Sequence, residues 1–251
     1  MSEFHSLDVF VFANKEIASL EQVVSIIEKN NRPEDISKIT VFAKSDNCPS
    51  YFFAKKMIES GQYPKLEICV QKERNIQRAF YEAALKAEAT HFVFIAADME
   101  MDPNAISEFI SLAKKKPDSI ICAAKWHKNS EISGYGFLHK MASRLLNTVA
   151  AWIIGSKAKD MFTLYQIYPK SVFDKMQFFD ADTFVFEYSA KPILCGVDYF
   201  EIPTVYNKRN EGKSNFNLFV LIKSAVVFWV TVIRLRLSEK NAKRNDYTNR
   251  R

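Results

Sequence analysis

The chain has 251 residues, of which 48% are apolar and 25% charged, an ordinary globular composition that excludes a disordered or fibrous protein. That length suits one large α/β domain, or a domain of about 200 residues with an appendage. Four scattered cysteines (Cys48, Cys69, Cys122, Cys195) form no C-x-x-C pair and have no histidines grouped nearby, which points to free thiols in a reducing compartment. Residues 1–8 show no basic flank followed by an apolar stretch, so no secretory signal is visible. The formal charge of +6 is modest but gathers at the end, where Arg234, Arg236, Lys240, Lys243, Arg244, Arg250 and Arg251 face only Glu239 and Asp246. Such a tail suits an anionic surface, or else is a solvated end.

In the first half, apolar runs of strand length alternate with amphipathic segments. Strands are expected at 7–12, 39–42, 66–70, 91–95 and 119–124, and helices at 17–28, 49–60, 75–87 and 104–115. In the helix at 17–28, Leu20, Val23, Val24 and Ile27 fall on one face. This alternation predicts a mainly parallel sheet covered by helices on both faces. Of six glycines only Gly61 precedes the fourth strand, so neither G-x-G-x-x-G nor G-x-x-x-x-G-K-S is present, and a bound nucleotide would need another cradle.

The fourth strand breaks abruptly into acids: Ile95-Ala96-Ala97-Asp98-Met99-Glu100-Met101-Asp102-Pro103. Carboxylates beyond the carboxyl end of a buried strand stand where open α/β sheets bind ligands, and acids that close favour a cation among them. The plainer reading makes Asp102 an N-cap with Pro103 at the first helical position, leaving Asp98 and Glu100 as solvated loop acids.

Beyond Trp126, residues 137–155 read as a helix with Leu138, Met141, Leu145, Val149, Trp152 and Ile153 on one side and Lys140, Arg144 and Asn147 on the other. A strand at 162–168, a helix at 182–194 and a strand at 197–202 complete the folded body. Residues 203–215 are polar, with a glycine and clustered cations, and read as a mobile binding loop. Residues 216–237 are nearly all apolar, yet Lys223 and Arg234 bracket a stretch whose helical rise is about 15 Å, half of a hydrocarbon core about 30 Å thick. An amphipathic helix lying in a membrane interface fits better than a span, and packing on the domain or on a second copy is the competing expectation. The expected division is thus a domain over 1–215, this helix over 216–237 and a basic tail over 238–251.

Taken together, these pieces resemble the family-2 glycosyltransferases, most closely the branch with the dolichyl-phosphate mannose synthases. In that family a strand ends in Asp-Ala-Asp and runs on to Asp-Pro, matched here by 96–103. A helix with Arg and Asn, a later Asp, a Glu-x-Pro strand end and an Arg-x-x-Gly-x-Ser loop are matched by Arg144, Asn147, Asp160, Glu201-Ile202-Pro203 and Arg209 to Ser214. The resemblance implies a GT-A-like single domain with a seven- or eight-stranded mixed sheet. It also implies inverting hexose transfer from a nucleotide-sugar to a polyprenyl phosphate or other membrane-associated acceptor, at the cytoplasmic face of a membrane.

Residue by residue, the resemblance implies a divalent cation (Mg or Mn) at Asp98 and Glu100, with Asp98 and Asp160 in the catalytic centre. Glu16, Asp46 and Lys125 would meet the donor nucleotide, and Lys140, Arg144, Arg209, Lys213 and Ser214 the acceptor or its phosphate. The family's first motif aspartate is Ala96 here, the base-binding turn after the second strand reduces to Phe42-Ala43-Lys44-Ser45-Asp46, and the arginine after the fifth strand is Lys125. These departures fall in the donor half and support a competing expectation, a degenerate relative that binds a lipid phosphate or regulates a partner enzyme. Glu187 is expected to be a structural partner. Nucleic-acid binding ranks last, for want of aromatic interleaving or a known module.

Overall fold

A computed structural model describes residues 3–73, 75–178, 184–208 and 229–237. The expected alternation is present: β1 (Leu7–Ala13), α1 (Ala18–Asn30), β2 (Ile36–Ala43), α2 (Pro49–Glu59), β3 (Leu66–Val70), α3 (Ile76–Leu85), β4 (His91–Ala96), α4 (Ala105–Lys115) and β5 (Ile120–Ala123). There follow β6 (Glu131–Ile132), α5 (Phe137–Ile154), β7 (Gln166–Pro169), α6 (Lys170–Phe173), α7 (Phe184–Leu194), β8 (Tyr199–Ile202) and β9 (Val205–Tyr206). Residues 229–237 form a last helix, α8.

Seven strands make one sheet in the order β3-β2-β1-β4-β7-β5-β8. β1 to β4 run parallel, β7 enters antiparallel between β4 and β5, and β8 pairs parallel with β5. The result is an α/β fold with a mostly parallel mixed sheet between helices. Side-chain alternation along β1 explains the layers: Leu7, Val9 and Val11 join α1 and α4 on one face, while Phe10 and Phe12 join α3 and α7 on the other. One buried polar residue interrupts β1. Asp8 accepts the N–H groups of Glu88 and Ala89 at 2.7 and 3.0 Å, tying the strand to the turn that starts β4.

Two expectations are corrected. Residues 162–165 are not strand, because the Thr163 hydroxyl accepts the N–H of Tyr165 at 3.1 Å and the Leu164 carbonyl that of Gln166, turning the chain locally before β7. The segment read as a mobile loop begins with a strand: β9 pairs in parallel with β6, and Tyr206 is 2% exposed. Helix α5 packs through small residues and leaves its apolar stripe bare. It buries Asn147, Ala150, Ala151 and Ile154, and leaves Met141, Leu145 and Trp152 57, 65 and 79% exposed.

Small alanines allow the close approach that decides this orientation: Ala150, Ala151 and Ile154 share a core cluster with Phe186, Ala190, Val232 and Leu235. All four cysteines are free, with Cys48 and Cys122 buried. Among the described residues no helix is long and apolar enough to cross a membrane. The tail and residues 216–228 of the expected interface helix lie outside the described residues.

Candidate active site

β1 is bonded to β2 on one side and β4 on the other, so the chain reverses its winding here and leaves a crevice at the strands' carboxyl ends. Phe12 and Ala96 are register partners at that edge, and Ala97 donates to the Phe12 carbonyl at 2.9 Å. The acids follow at once. Asp98 and Glu100 are buried, at 6 and 9% exposure, which removes the solvated-loop reading. Between them Met99 takes φ 60, a left-handed conformation costing a non-glycine residue about 1 kcal/mol or more. It closes a turn in which the Asp98 carboxylate accepts the N–H of Glu100 at 3.1 Å.

Asp102 stays near the helix start, but α4 begins at Ala105 with Asn104 as N-cap, not at Pro103. The Asp102 carboxylate accepts both the backbone and the side-chain N–H of Asn104, at 3.0 and 2.7 Å.

The second pole is Asp160, fully buried. One carboxylate oxygen accepts the N–H of Lys125 at 2.9 Å and lies 3.7 Å from the Lys125 ammonium. The other oxygen is buried with no hydrogen-bond partner among the described residues. Glu201 holds the backbone from below, accepting the N–H groups of Lys159 and Asp160 at 2.6 and 2.9 Å. Burial raises the Glu201 pKa against the lowering by these two bonds. Burial also pulls the Lys125 ammonium down, but Asp160, Tyr206 and Tyr135 outweigh it and the net shift is upward, so Lys125 stays charged. Its ammonium lies 4.9 Å above the Tyr206 ring. Burial pushes the Tyr206 hydroxyl up to about 12.

Glu100 and the Asp160-paired Lys125 both line a cavity of about 170 Å³ whose walls also include Ala96, Tyr135, Thr163 and Tyr206. Tyr135 donates to the Glu100 carboxylate, and burial followed by that bond raises its pKa strongly. Sequence spacing gave no sign of Tyr135 or Tyr206. Their roles depend on the β6–β9 pairing, which carries residues 131–135 and 205–206 over the strand ends.

The opposite wall is aromatic. Phe12 packs against Phe42, Phe80 and Phe94 with ring centroids 5.2, 4.1 and 5.8 Å apart. The other expected donor contacts stand apart from the cavity lining. Glu16 uses one carboxylate oxygen to accept the N–H groups of Asn14 and Lys15 at 2.6 and 2.9 Å, shaping the turn after β1, and Asp46 is exposed beyond β2.

On the acceptor side, the Lys140 ammonium donates to the Ile132 carbonyl at 2.7 Å, bracing β6. Arg144 is exposed on α5 and lines a different cavity. Asn147 is buried; its amide oxygen accepts the N–H of Met161 at 2.6 Å. Glu187 is buried 3.5 Å from Lys191, a structural pair as expected. Arg209, Lys213 and Ser214 lie outside the described residues.

Among the described residues no three His, Cys, Asp or Glu side chains converge to hold a metal unaided. Hard divalent cations keep several waters and share phosphate oxygens, so Asp98 and Glu100 together fit an ion completed by a donor diphosphate.

Residues 15–190 match the sequence profile of Glycosyl transferase family 2. Among solved structures, the fold is similar to glucosyl-3-phosphoglycerate synthase from Mycobacterium tuberculosis. In complex with Mn2+, UDP and glucosyl-3-phosphoglycerate the TM-score is 0.64 at 14% identity, covering 94% of this chain and 80% of that one. The same enzyme with phosphoglyceric acid gives 0.65 at 14% identity, covering 94 and 80%. With Mg2+ and UDP it gives 0.63 at 14%, covering 94 and 79%. In two of these complexes that enzyme holds Mn2+ or Mg2+ together with UDP. The chain belongs to glycosyl transferase family 2, and is a nucleotide-sugar-dependent glycosyltransferase with the GT-A fold.

Proposed function

We propose that this glycosyltransferase moves a hexose, with inversion, from a nucleotide-sugar to a polyprenyl phosphate or another membrane-associated acceptor, working as a peripheral protein at the cytoplasmic face of a membrane. The observation that carries this reading is the pairing of Asp160 and Lys125 beneath a helix, α5, whose outer face is apolar and exposed. A phosphate nucleophile is already ionised at neutral pH, so the site needs a cation to bring it near the donor more than it needs a strong base. Lys125 is that cation, held charged by Asp160. The Asp160 oxygen that has no partner among the described residues is available to orient a sugar hydroxyl, or to take a proton where the acceptor is itself a hydroxyl.

On the donor side, Asp98 and Glu100 would hold a divalent cation, which when bound would supply positive charge to the leaving diphosphate. Glu16 and Asp46 stand at the β1 and β2 ends, the nucleoside side of the crevice. Arg209, Lys213 and Ser214 complete the phosphate contacts. The neighbours' phosphoglycerate acceptor shares the anionic character that this arrangement favours.

One observation favours a second reading, a relative that binds a lipid phosphate or regulates a partner with little transfer of its own. Phe12, Phe42 and Phe80 pack ring against ring beside Ala96, leaving an apolar wall on the donor side. The test is incubation of the purified chain with a panel of nucleotide-sugars, Mn2+ or Mg2+, and a short polyprenyl phosphate. Transfer that Asp98→Ala abolishes supports the first reading; absence of donor binding by calorimetry in the presence of metal overturns it.

A further inference from the structure

A cavity of about 420 Å³ opens beside α5 and shares no lining residue with the one that holds Glu100 and Lys125. Three separate stretches build it: Trp126 and Lys128 after β5, Arg144 and Trp152 on α5, and Lys157 and Lys159 in the loop before Asp160. Four cations line it and no acid does. Positive charge concentrated in one concavity selects an anion. The field is felt nearby, where burial, then Lys159 and Lys128, lower the pKa of His127. The indole N–H of Trp126 is buried with no hydrogen-bond partner among the described residues.

What adjoins the cations separates a soluble anion from an amphiphilic one. Trp152, 79% exposed on the cavity rim, continues a stripe along α5 through Leu145, Met141 and Phe137, at 65, 57 and 75% exposure. Helix α8 shares the core cluster of α5 through Val232 and Leu235, and exposes Val230, Ile233 and Leu237. A soluble phosphate has no use for so much bare apolar surface beside its site. A bilayer does, since indole and long aliphatic side chains settle at the headgroup boundary while Lys and Arg reach the phosphates.

We propose that this cavity binds the headgroup phosphate of an anionic membrane phospholipid, with the α5 stripe entering the acyl boundary. The site anchors the protein and takes no part in transfer, so it stands or falls apart from the identity of the sugar acceptor.

The test uses the full chain with vesicles of phosphatidylglycerol or of phosphatidylcholine. Wild type is expected to float with the first and not the second. Lys128→Glu with Lys157→Glu lowers affinity at least tenfold, Trp152→Ser at least threefold, and the milder Lys128→Gln with Lys157→Gln gives an intermediate loss. Unchanged circular dichroism and melting show that each variant folds. Transfer to a short, soluble acceptor, measured on the same variants, stays at the wild-type rate, which separates a lost anchor from a lost reaction. Three results overturn the proposal: variants that float as wild type does, wild type that ignores lipid charge, or displacement from vesicles by millimolar inorganic phosphate, which would make this a site for free phosphate.

Discussion

The amide oxygen of Asn147 accepts the backbone N–H of Met161 at 2.6 Å, joining the buried side of α5 to the residue that follows Asp160. Its other end donates to the Ser143 carbonyl at 2.9 Å, so the side chain is fixed at both ends. Met161 is fully buried, so its N–H is shut off from bulk solvent. Asn147→Ala should destabilise the fold by about 1–3 kcal/mol, the cost of an unsatisfied buried N–H. It should also slow transfer, because the Asp160 loop loses its tether. Asn147→Asp keeps the acceptor and should recover part of both. Denaturant melts read beside turnover distinguish this from a purely local effect: loss of stability with unchanged turnover would remove Asn147 from the positioning role.

Asp160→Asn keeps the shape and the bond from the Lys125 N–H but removes the charge that holds the Lys125 ammonium charged. Turnover should fall by about a hundredfold or more, in the range expected for removing a charged catalytic group. Donor affinity should change little, since Asp160 is absent from the lining of the cavity that Ala96 and Glu100 share. A matching fall in donor affinity would place Asp160 on the donor instead.

Ala96 offers a gain-of-function test. It borders the Glu100 cavity at the end of β4, where an acid would add a third carboxylate to Asp98 and Glu100. Ala96→Asp should strengthen Mn2+-dependent nucleotide binding about tenfold, while Asp98→Ala should abolish it. Calorimetric titration with and without metal reads both. Equal affinities in wild type and Ala96→Asp would show that the cation does not sit at this strand end.

His91 makes stability depend on pH. It is 1% exposed, its Nε2 lies 2.9 Å from the Pro117 carbonyl, and burial depresses its pKa to about 4. A depressed histidine is bound neutral, so the unfolded chain takes up more protons and stability falls as pH drops from the unfolded value of 6.5 through about 4. Between pH 7 and pH 5 the loss should be about 2 kcal/mol. Urea melts across that range should show the slope, flattened in His91→Gln. A slope identical in both proteins would assign it to other groups.

Much of the sheet was legible because β1, β2 and β4 each carry a buried, largely apolar run, Val9 to Ala13, Ile39 to Ala43 and Phe92 to Ile95. The short partners were not: β6 and β9 have two residues each, too few for any periodicity, and exist because they pair with one another. Helix α5 shows the limit of a helical wheel. It finds the apolar stripe, but Ala150 and Ala151 beside Leu235 and Ala190 decide which side is covered.

By itself, then, the sequence determined the α/β alternation, the acids beyond β4 and the absence of a glycine-rich phosphate loop, since each is written within a few neighbouring residues. Only the tertiary structure decided that Lys125 meets Asp160, that Tyr135 binds Glu100, that Asn147 is buried, and that Arg144 belongs to a second cavity. The three hydrogen-bonded pairings join residues 14 to 35 positions apart. Local periodicity reports how a segment divides its own faces, and carries no information about which distant segment arrives to cover them.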